Sequence, residues 1–136
     1  MNGVAAPFVT VQRLRFCDTD SVGHVNNAVY AVMLEAGRAE LMAACGLLDP
    51  VLGQGVVIAR LELDFVREMN WPGDVRIETA VARIGTKSIH LRQRLEFSGE
   101  TVANALSVLV VIDTASRRPM TVMPSWRAAL APYAAA

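Results

Sequence analysis

Residues 27–45, NAVYAVMLEAGRAELMAAC, decide the fold of this chain, because they carry its one long helical pattern. Apolar residues recur there every third or fourth position, which is typical of one face of an α-helix. Asn26 or Asn27 is a good N-cap, since its side-chain oxygen can accept from a free backbone amide, and Gly46 is placed to end the helix. Small residues along the segment allow a sheet to approach the helix backbone closely: Ala31, Ala36, Gly37 and Ala39.

Extended patterns surround this helix, one before it and four after it. The first spans residues 8–16 and is bounded by Pro7 and the polar run that begins at Asp18. The later ones are separated by short turns, which favour antiparallel neighbours. They are residues 56–66, 75–84, 88–97 and 101–112. The sequence therefore predicts an α+β fold, in which a roughly five-stranded antiparallel sheet carries the helix on one face.

The composition predicts one globular domain. A chain of 136 residues fits a single domain spanning 1–136, and 53% hydrophobic with only 6% aromatic residues predicts an aliphatic core. The last predicted strand alternates weakly and looks buried on both sides, so we expect a subunit partner to cover part of the apolar surface. Residues 1–7 and 128–136 have little to anchor them, and we expect both ends to be flexible.

The charge balance and the cysteines narrow the class of protein. Thirteen basic residues match thirteen acidic ones, which argues against nucleic acid or an anionic membrane as the main partner. Cys17 and Cys45 stand apart without a CxxC motif, which predicts reduced thiols in a cytoplasmic protein. The first residues lack a basic segment followed by a long apolar run, so we predict neither a signal peptide nor a membrane span.

Residues 18–27, DTDSVGHVNN, form the densest cluster of functional side chains and lie between the first strand and the helix. The start resembles a calcium loop, but Val22 and Val29 stand where oxygen ligands are required, so we predict no metal. A purely structural interpretation, with turn formers and caps, explains Asn26 and Asn27.

Two catalytic interpretations stay open beside the structural one. A carboxylate beside the free amides of a helix start can hydrolyse an ester-like bond, because those amides can hold an oxyanion. The helix dipole stabilises such a carboxylate and weakens it as a base, so direct attack remains an alternative to water activation. Hydration or dehydration by Asp20 and His24 is the second interpretation. These residues alone do not distinguish Asp18 from Asp20.

The stretch RFCDTDSVGHVNNAVYAVMLEAGR, residues 15–38, resembles the signature of the 4-hydroxybenzoyl-CoA thioesterase-like branch of the hotdog superfamily. Residues 59–95, with a Pro-Gly-Asp turn and a Gly-Thr-Lys-Ser hairpin, resemble the later strands of that family, so the resemblance covers most of residues 8–125. It implies a hotdog fold, with a long central helix wrapped by the sheet. It also implies acyl-CoA thioester hydrolysis without a cofactor, coenzyme A being part of the substrate.

The resemblance also implies roles for individual residues. In that family the catalytic carboxylate lies four residues before the His position, which is Asp20 here. The oxyanion donor maps to the backbone amide of Asn27, and Gly23 and His24 complete the motif. Whether Asp20 is a base or a nucleophile stays open. Hydratase hotdogs carry an Asn between the acid and the His, whereas both asparagines here follow His24, so hydration ranks below hydrolysis.

Coenzyme A carries phosphate groups, so we expect basic side chains of the protein to bind them. The candidates are Arg83, Lys87, Ser88, Arg117 and Arg118. Family members are homodimers or dimers of dimers with sites between subunits, which allows residues 86–88 to come from a neighbour. Glu35 and Arg38 are predicted to form a helix salt bridge, and Tyr30 and His90 to be structural. A non-catalytic module that binds acyl-CoA or a protein partner remains the alternative function, and acyl length and the type of thioester carrier stay open.

Overall fold

The computed structural model describes residues 6–135, and one strand, a long helix and four strands follow one another along the chain. They are β1 (Phe8–Arg13), α1 (Asn27–Ala44), β2 (Gln54–Phe65), β3 (Asp74–Ile84), β4 (Ser88–Phe97) and β5 (Glu100–Asp113), followed by a short helix α2 (Pro124–Leu130). The strands form one antiparallel sheet in the order β1-β3-β4-β5-β2. The predicted α+β arrangement is confirmed.

Helix α1 begins and ends where the sequence predicts. The Asn26 side chain accepts a hydrogen bond from the Ala28 amide at 2.9 Å, which makes Asn26 the N-cap. At the other end Gly46 has a φ of +74°, a backbone conformation that glycine adopts without strain. The helix packs mainly against β3, β1 and β4. The side of the sheet formed by β2 is therefore less covered by α1.

A polar band crosses the core beneath the middle of α1. Gln93 is 1% exposed, and its Nε2 donates to the Leu34 carbonyl at 2.9 Å and to Thr79 Oγ1 at 3.0 Å. Gly37 lies directly above it, and a Cβ added there would be 2.5 Å from Ile77 Cγ2. The close approach of helix and sheet that the small residues predict occurs at Gly37.

Arg38 turns into this band and does not lie on the helix surface. Its Nη1 donates to Gln93 Oε1 at 3.3 Å, and the residue is only 7% exposed. Within the described residues it forms no ion pair with Glu35. The predicted Glu35–Arg38 salt bridge is therefore wrong, because the guanidinium of Arg38 bonds to an amide beneath the helix instead.

The C-terminal segment has more contacts than its composition predicts. Leu130 is fully buried, and the ring of Tyr133 packs edge-on against Phe8 with the ring centroids 5.7 Å apart. The expectation that residues 128–136 lack anchoring contacts is thus wrong for 128–135. Helix α2 was not predicted, since seven residues are too few for a helical periodicity to be recognised. The expectation for residues 1–7 falls mainly on 1–5, outside the described residues.

The first strand is shorter than predicted. It ends at Arg13, and residues Phe16–Asp18 form a 3-10 turn. The Arg15 amide donates to the Asp18 carboxylate at 2.7 Å, which draws the chain into this turn and stops the extended pattern. Cys17 and Cys45 are both free thiols, as predicted.

The two faces of β5 differ in burial. Its inward side chains are buried, whereas Leu106, Val108 and Val110 on the outer face are only partly buried in the single chain. Burial of this outer face by a subunit partner stays a prediction. At the sheet edge, β2 exposes Ile58 and Phe65. None of the helices within residues 6–135 is both long and apolar enough to span a membrane.

Candidate active site

The two aspartates of the loop before α1 have different environments. Asp18 is 2% exposed, and its two carboxylate oxygens accept from the Arg15 backbone amide at 2.7 Å and the Arg15 guanidinium at 3.0 Å. Its carbonyl also accepts from the Asn26 amide at 2.8 Å, just before the helix. Asp18 therefore stabilises the loop, and its buried carboxylate is not accessible to a ligand.

Asp20 is exposed and held by one carboxylate oxygen. Its Oδ1 accepts from the backbone amides of Val22 at 2.9 Å and His24 at 3.1 Å. Gly23 lies inside this turn with a φ of +85°, a conformation that other residues rarely adopt. Within residues 6–135, Oδ2 of Asp20 has no hydrogen-bond partner. One oxygen positions the carboxylate and the other is free to meet a ligand.

Asp20 and the first residue of α1 line one cavity. The cavity has a volume of about 360 Å³, and its opposite wall comes from the end of β2 and the residues that follow it. Its lining residues include Asp20, His24, Val25, Asn27, Tyr30 and the segment 65–68. The amide of Asn27 has no hydrogen-bond partner in the described part of the chain, as expected for the first turn of a helix. A free carboxylate oxygen and a residue with an unpaired amide thus share this cavity.

His24 connects the loop to the opposite wall. Its Nε2 lies 3.1 Å from Glu68 Oε2, and both residues line the cavity. Glu68 was not predicted as a site residue. Two adjacent charged residues, Arg67 and Glu68, directly after a strand could have indicated it. Across residues 6–135, no group of three or more His, Cys, Asp and Glu side chains is arranged to hold a metal ion.

Tyr30 is both a packing residue and part of the cavity wall. It is 2% exposed, its hydroxyl donates to the Arg67 carbonyl at 2.9 Å, and its ring packs edge-on against Phe65 with the centroids 5.1 Å apart. Burial is the main cause that raises the pKa of Tyr30, so the hydroxyl stays neutral at physiological pH. The predicted packing role is confirmed, whereas its position in the cavity was missed.

Two of the residues predicted to bind coenzyme A surround His90. Arg83 Nη2 lies 3.1 Å and Ser88 Oγ 3.2 Å from His90 Nε2. Burial, and to a lesser degree the charge of Arg83, lower the pKa of His90. His90 therefore orders the hairpin between β3 and β4, in agreement with its predicted structural role.

The predicted coenzyme-binding residues lie far from Asp20 in a single chain. Ser88 pairs with Val110, which pairs with Val57 near the start of β2. The Asp20 cavity lies at Phe65, near the other end of the same strand and roughly 26 Å away at the usual rise per residue. The residues at the far end are Arg83, Lys87, Ser88, Arg117 and Arg118. The structure does not bring them to Asp20.

Comparisons with known proteins place this chain and its fold in a family. Residues 14–130 match the model of the thioesterase-like superfamily, and the chain belongs to that superfamily. Among solved structures, a predicted thioesterase from Bacillus stearothermophilus is 32% identical, with a TM-score of 0.87 over 95% of this chain and 97% of that one. The predicted hotdog fold is confirmed. A comparison with curated protein sequences finds no match.

Two further solved structures contain coenzyme A. A thioesterase from Thermus thermophilus, complexed with coenzyme A and Zn, is 27% identical, with a TM-score of 0.81 over 96% of this chain and 95% of that one. A protein from Staphylococcus aureus in complex with CoA is 15% identical, with a TM-score of 0.86 over 96% of this chain and 85% of that one. At that identity the second structure supports the shared fold alone.

Proposed function

We propose that this protein hydrolyses acyl-CoA thioesters to a free acid and coenzyme A in the cavity beside the start of α1. The observation that carries the proposal is that the free carboxylate oxygen of Asp20 and the unpaired amide of Asn27 belong to residues lining one cavity. The thioester carbonyl oxygen would accept from this amide, where the positive end of the helix dipole stabilises the negative charge that develops during reaction.

Asp20 has two routes to the same products. As a nucleophile, it attacks the carbonyl carbon, expels the coenzyme A thiolate and leaves an acyl anhydride that water then hydrolyses. As a base, it takes a proton from water while the water oxygen attacks the carbonyl carbon, and the thiolate leaves in the same way. The hydrogen bonds from Val22 and His24 hold the carboxylate in position in both routes.

We further propose that a second copy of the chain completes the site. Strand β2 lies at an edge of the sheet and exposes Ile58 and Phe65. Two such edges paired antiparallel would bring the start of the partner's β2, with the basic end of its sheet, next to Asp20. Arginine and lysine are suited to the phosphates of coenzyme A. The Thermus thioesterase, complexed with coenzyme A, supports this choice of ligand.

Disruption of the β2 edge is expected to separate the copies. An inward-pointing lysine on an edge strand opposes strand pairing, so Ile58→Lys should lower the mass from dimer or tetramer to monomer in sedimentation equilibrium. Val11→Lys is the matched control, since Val11 is similarly exposed, at 55% against 49% for Ile58, but lies on β1, the opposite edge. A monomeric wild type, or an Ile58→Lys variant that keeps the wild-type mass, contradicts the shared site.

The proposed reaction can be tested with a panel of acyl-CoAs. We expect the purified wild-type protein to release free coenzyme A thiol, detected with a thiol reagent, from at least one linear, branched or aromatic acyl-CoA. A non-catalytic module would bind acyl-CoA without releasing thiol, and a hydratase would change the absorbance of an enoyl-CoA and depend on His24. If the protein binds acyl-CoAs but releases thiol from none of them, it is not an acyl-CoA hydrolase.

A further inference from the structure

A second cavity lies further along α1 than the Asp20 cavity. This cavity has a volume of about 190 Å³ and is lined by Glu35, Arg38, Ala39, Met42, Leu48, Val56, Ile58 and Leu109. Because a helix rises 1.5 Å per residue, Glu35 lies roughly 12 Å and Arg38 roughly 16 Å along the axis from Asn27. Six of its eight lining residues are apolar, as expected of a site for part of an acyl chain.

Arg38 is an unusual residue to line a mostly apolar cavity, because it carries a positive charge. It is 7% exposed, yet its guanidinium makes only the bond to Gln93 Oε1 within the described part of the chain. A guanidinium carries five N–H donors, so most of them have no protein acceptor. Burial lowers the pKa of Arg38, and the nearby charge of Glu35 opposes that effect. The unpaired nitrogens of this side chain are not fully enclosed, and Arg38 lines the cavity, so they are available to a ligand there.

Glu35 and Arg38 restrict the chemistry of the occupant. Arg38 only donates hydrogen bonds, and an ionised Glu35 only accepts them. A hydroxyl group can accept from the first and donate to the second. A carboxylate would be repelled by Glu35, whereas a plain alkyl chain would leave the unpaired donors of the buried Arg38 without an acceptor.

We propose that this second cavity binds the distal part of the acyl chain, and that Glu35 and Arg38 select chains carrying a hydroxyl group there. The inference rests on the proposed function, because it places the thioester at Asp20 and Asn27. An extended chain of about ten to twelve carbons that ends in a hydroxyl reaches roughly 12 to 15 Å, the distance from Asn27 to this pair, because a zigzag chain advances about 1.25 Å per C–C bond of about 1.5 Å. The substrate class is thus a medium-length acyl-CoA hydroxylated at or near its far end.

Matched substrates test this selection. The kcat/KM of the wild-type protein is expected to be at least about tenfold higher for 10-hydroxydecanoyl- or 12-hydroxydodecanoyl-CoA than for the unsubstituted ester of the same length, since hydrogen bonds to charged groups carry that much discrimination. Arg38→Met should remove the preference or reverse it. Arg92→Met, which changes an exposed arginine outside this cavity, is the control and should keep the wild-type preference.

A binding measurement separates this inference from the catalytic proposal. Free 12-hydroxydodecanoic acid should bind the wild-type protein more tightly than dodecanoic acid in calorimetry, whether or not any thioester is hydrolysed. Arg38→Met leaves the buried Gln93 Oε1 without its donor, which lowers the stability of the fold, so thermal unfolding is measured to establish that the variant is folded. Equal affinities for the two acids together with equal kcat/KM for the two esters overturn the selection. So does an Arg38→Met variant with altered oligomeric mass and unchanged selectivity, which would mean that a partner chain faces Arg38.

Discussion

Replacing Asp20 by asparagine is expected to lower kcat for acyl-CoA hydrolysis by about 100- to 10,000-fold, the range that a positioned acid–base group supplies. Asparagine keeps an oxygen that can accept from Val22 and His24, so the loop should hold its shape. It can neither take a proton from water nor attack a carbonyl carbon. The measurement is thiol release at saturating acyl-CoA, together with thermal unfolding to establish that the variant is folded.

Asp49→Asn is the matched control for this variant. Asp49 also accepts from a backbone amide two residues later, that of Val51 at 2.9 Å, and it lies in the loop after the far end of α1. Its replacement should leave turnover unchanged, since asparagine caps such a turn equally well. If Asp20→Asn and Asp49→Asn hydrolyse acyl-CoA at the same rate, Asp20 is not the catalytic carboxylate.

Replacing Gly37 by valine is expected to destabilise the fold by about 3 kcal/mol. The first added carbon would lie 2.5 Å from Ile77 Cγ2 and 3.0 Å from Gln93 Nε2. Both residues are fully or almost fully buried, so neither has free space into which it can move. The expected loss combines this overpacking with separation of the helix from the polar band, and urea unfolding monitored by circular dichroism measures it.

The control for Gly37→Val is Ala43→Val on the exposed face of the same helix. Valine there costs only its lower helix propensity, about 0.5 kcal/mol. Valine has a higher helix propensity than glycine, so propensity alone predicts a slight gain in stability for Gly37→Val. A Gly37→Val loss no larger than that of Ala43→Val would mean that the helix does not depend on close contact at Gly37.

The fold was predictable where local pattern and tertiary structure agree. The spacing of Tyr30, Met33, Leu34 and Leu41 follows the buried face of α1, and Asn26 and Gly46 bound the helix through local hydrogen bonding and backbone conformation. The failures have tertiary causes. The first strand stops early because Asp18 captures the Arg15 amide. Arg38 does not pair with Glu35, because its guanidinium donates to the side-chain oxygen of Gln93, 55 residues away and beneath the helix.

The candidate site was predictable only in part. Residue chemistry left Asp18 and Asp20 equivalent, and the difference lies in the burial of Asp18 beneath Arg15, which no local pattern reveals. Glu68 and the cavity role of Tyr30 depend on the approach of the β2 end to the helix start. The predicted coenzyme-binding residues lie at the far end of the sheet, so their role in this site depends on a second chain.

A crystal structure of the Asp20→Asn variant with an intact acyl-CoA tests the proposed hydrolytic site most directly. The thioester carbonyl oxygen should lie about 3 Å from the backbone nitrogen of Asn27, the distance of an oxyanion hydrogen bond, with the carbonyl carbon beside residue 20. A thioester bound with its carbonyl beyond hydrogen-bonding distance of Asn27, or in another part of the chain, would contradict hydrolysis at the start of α1.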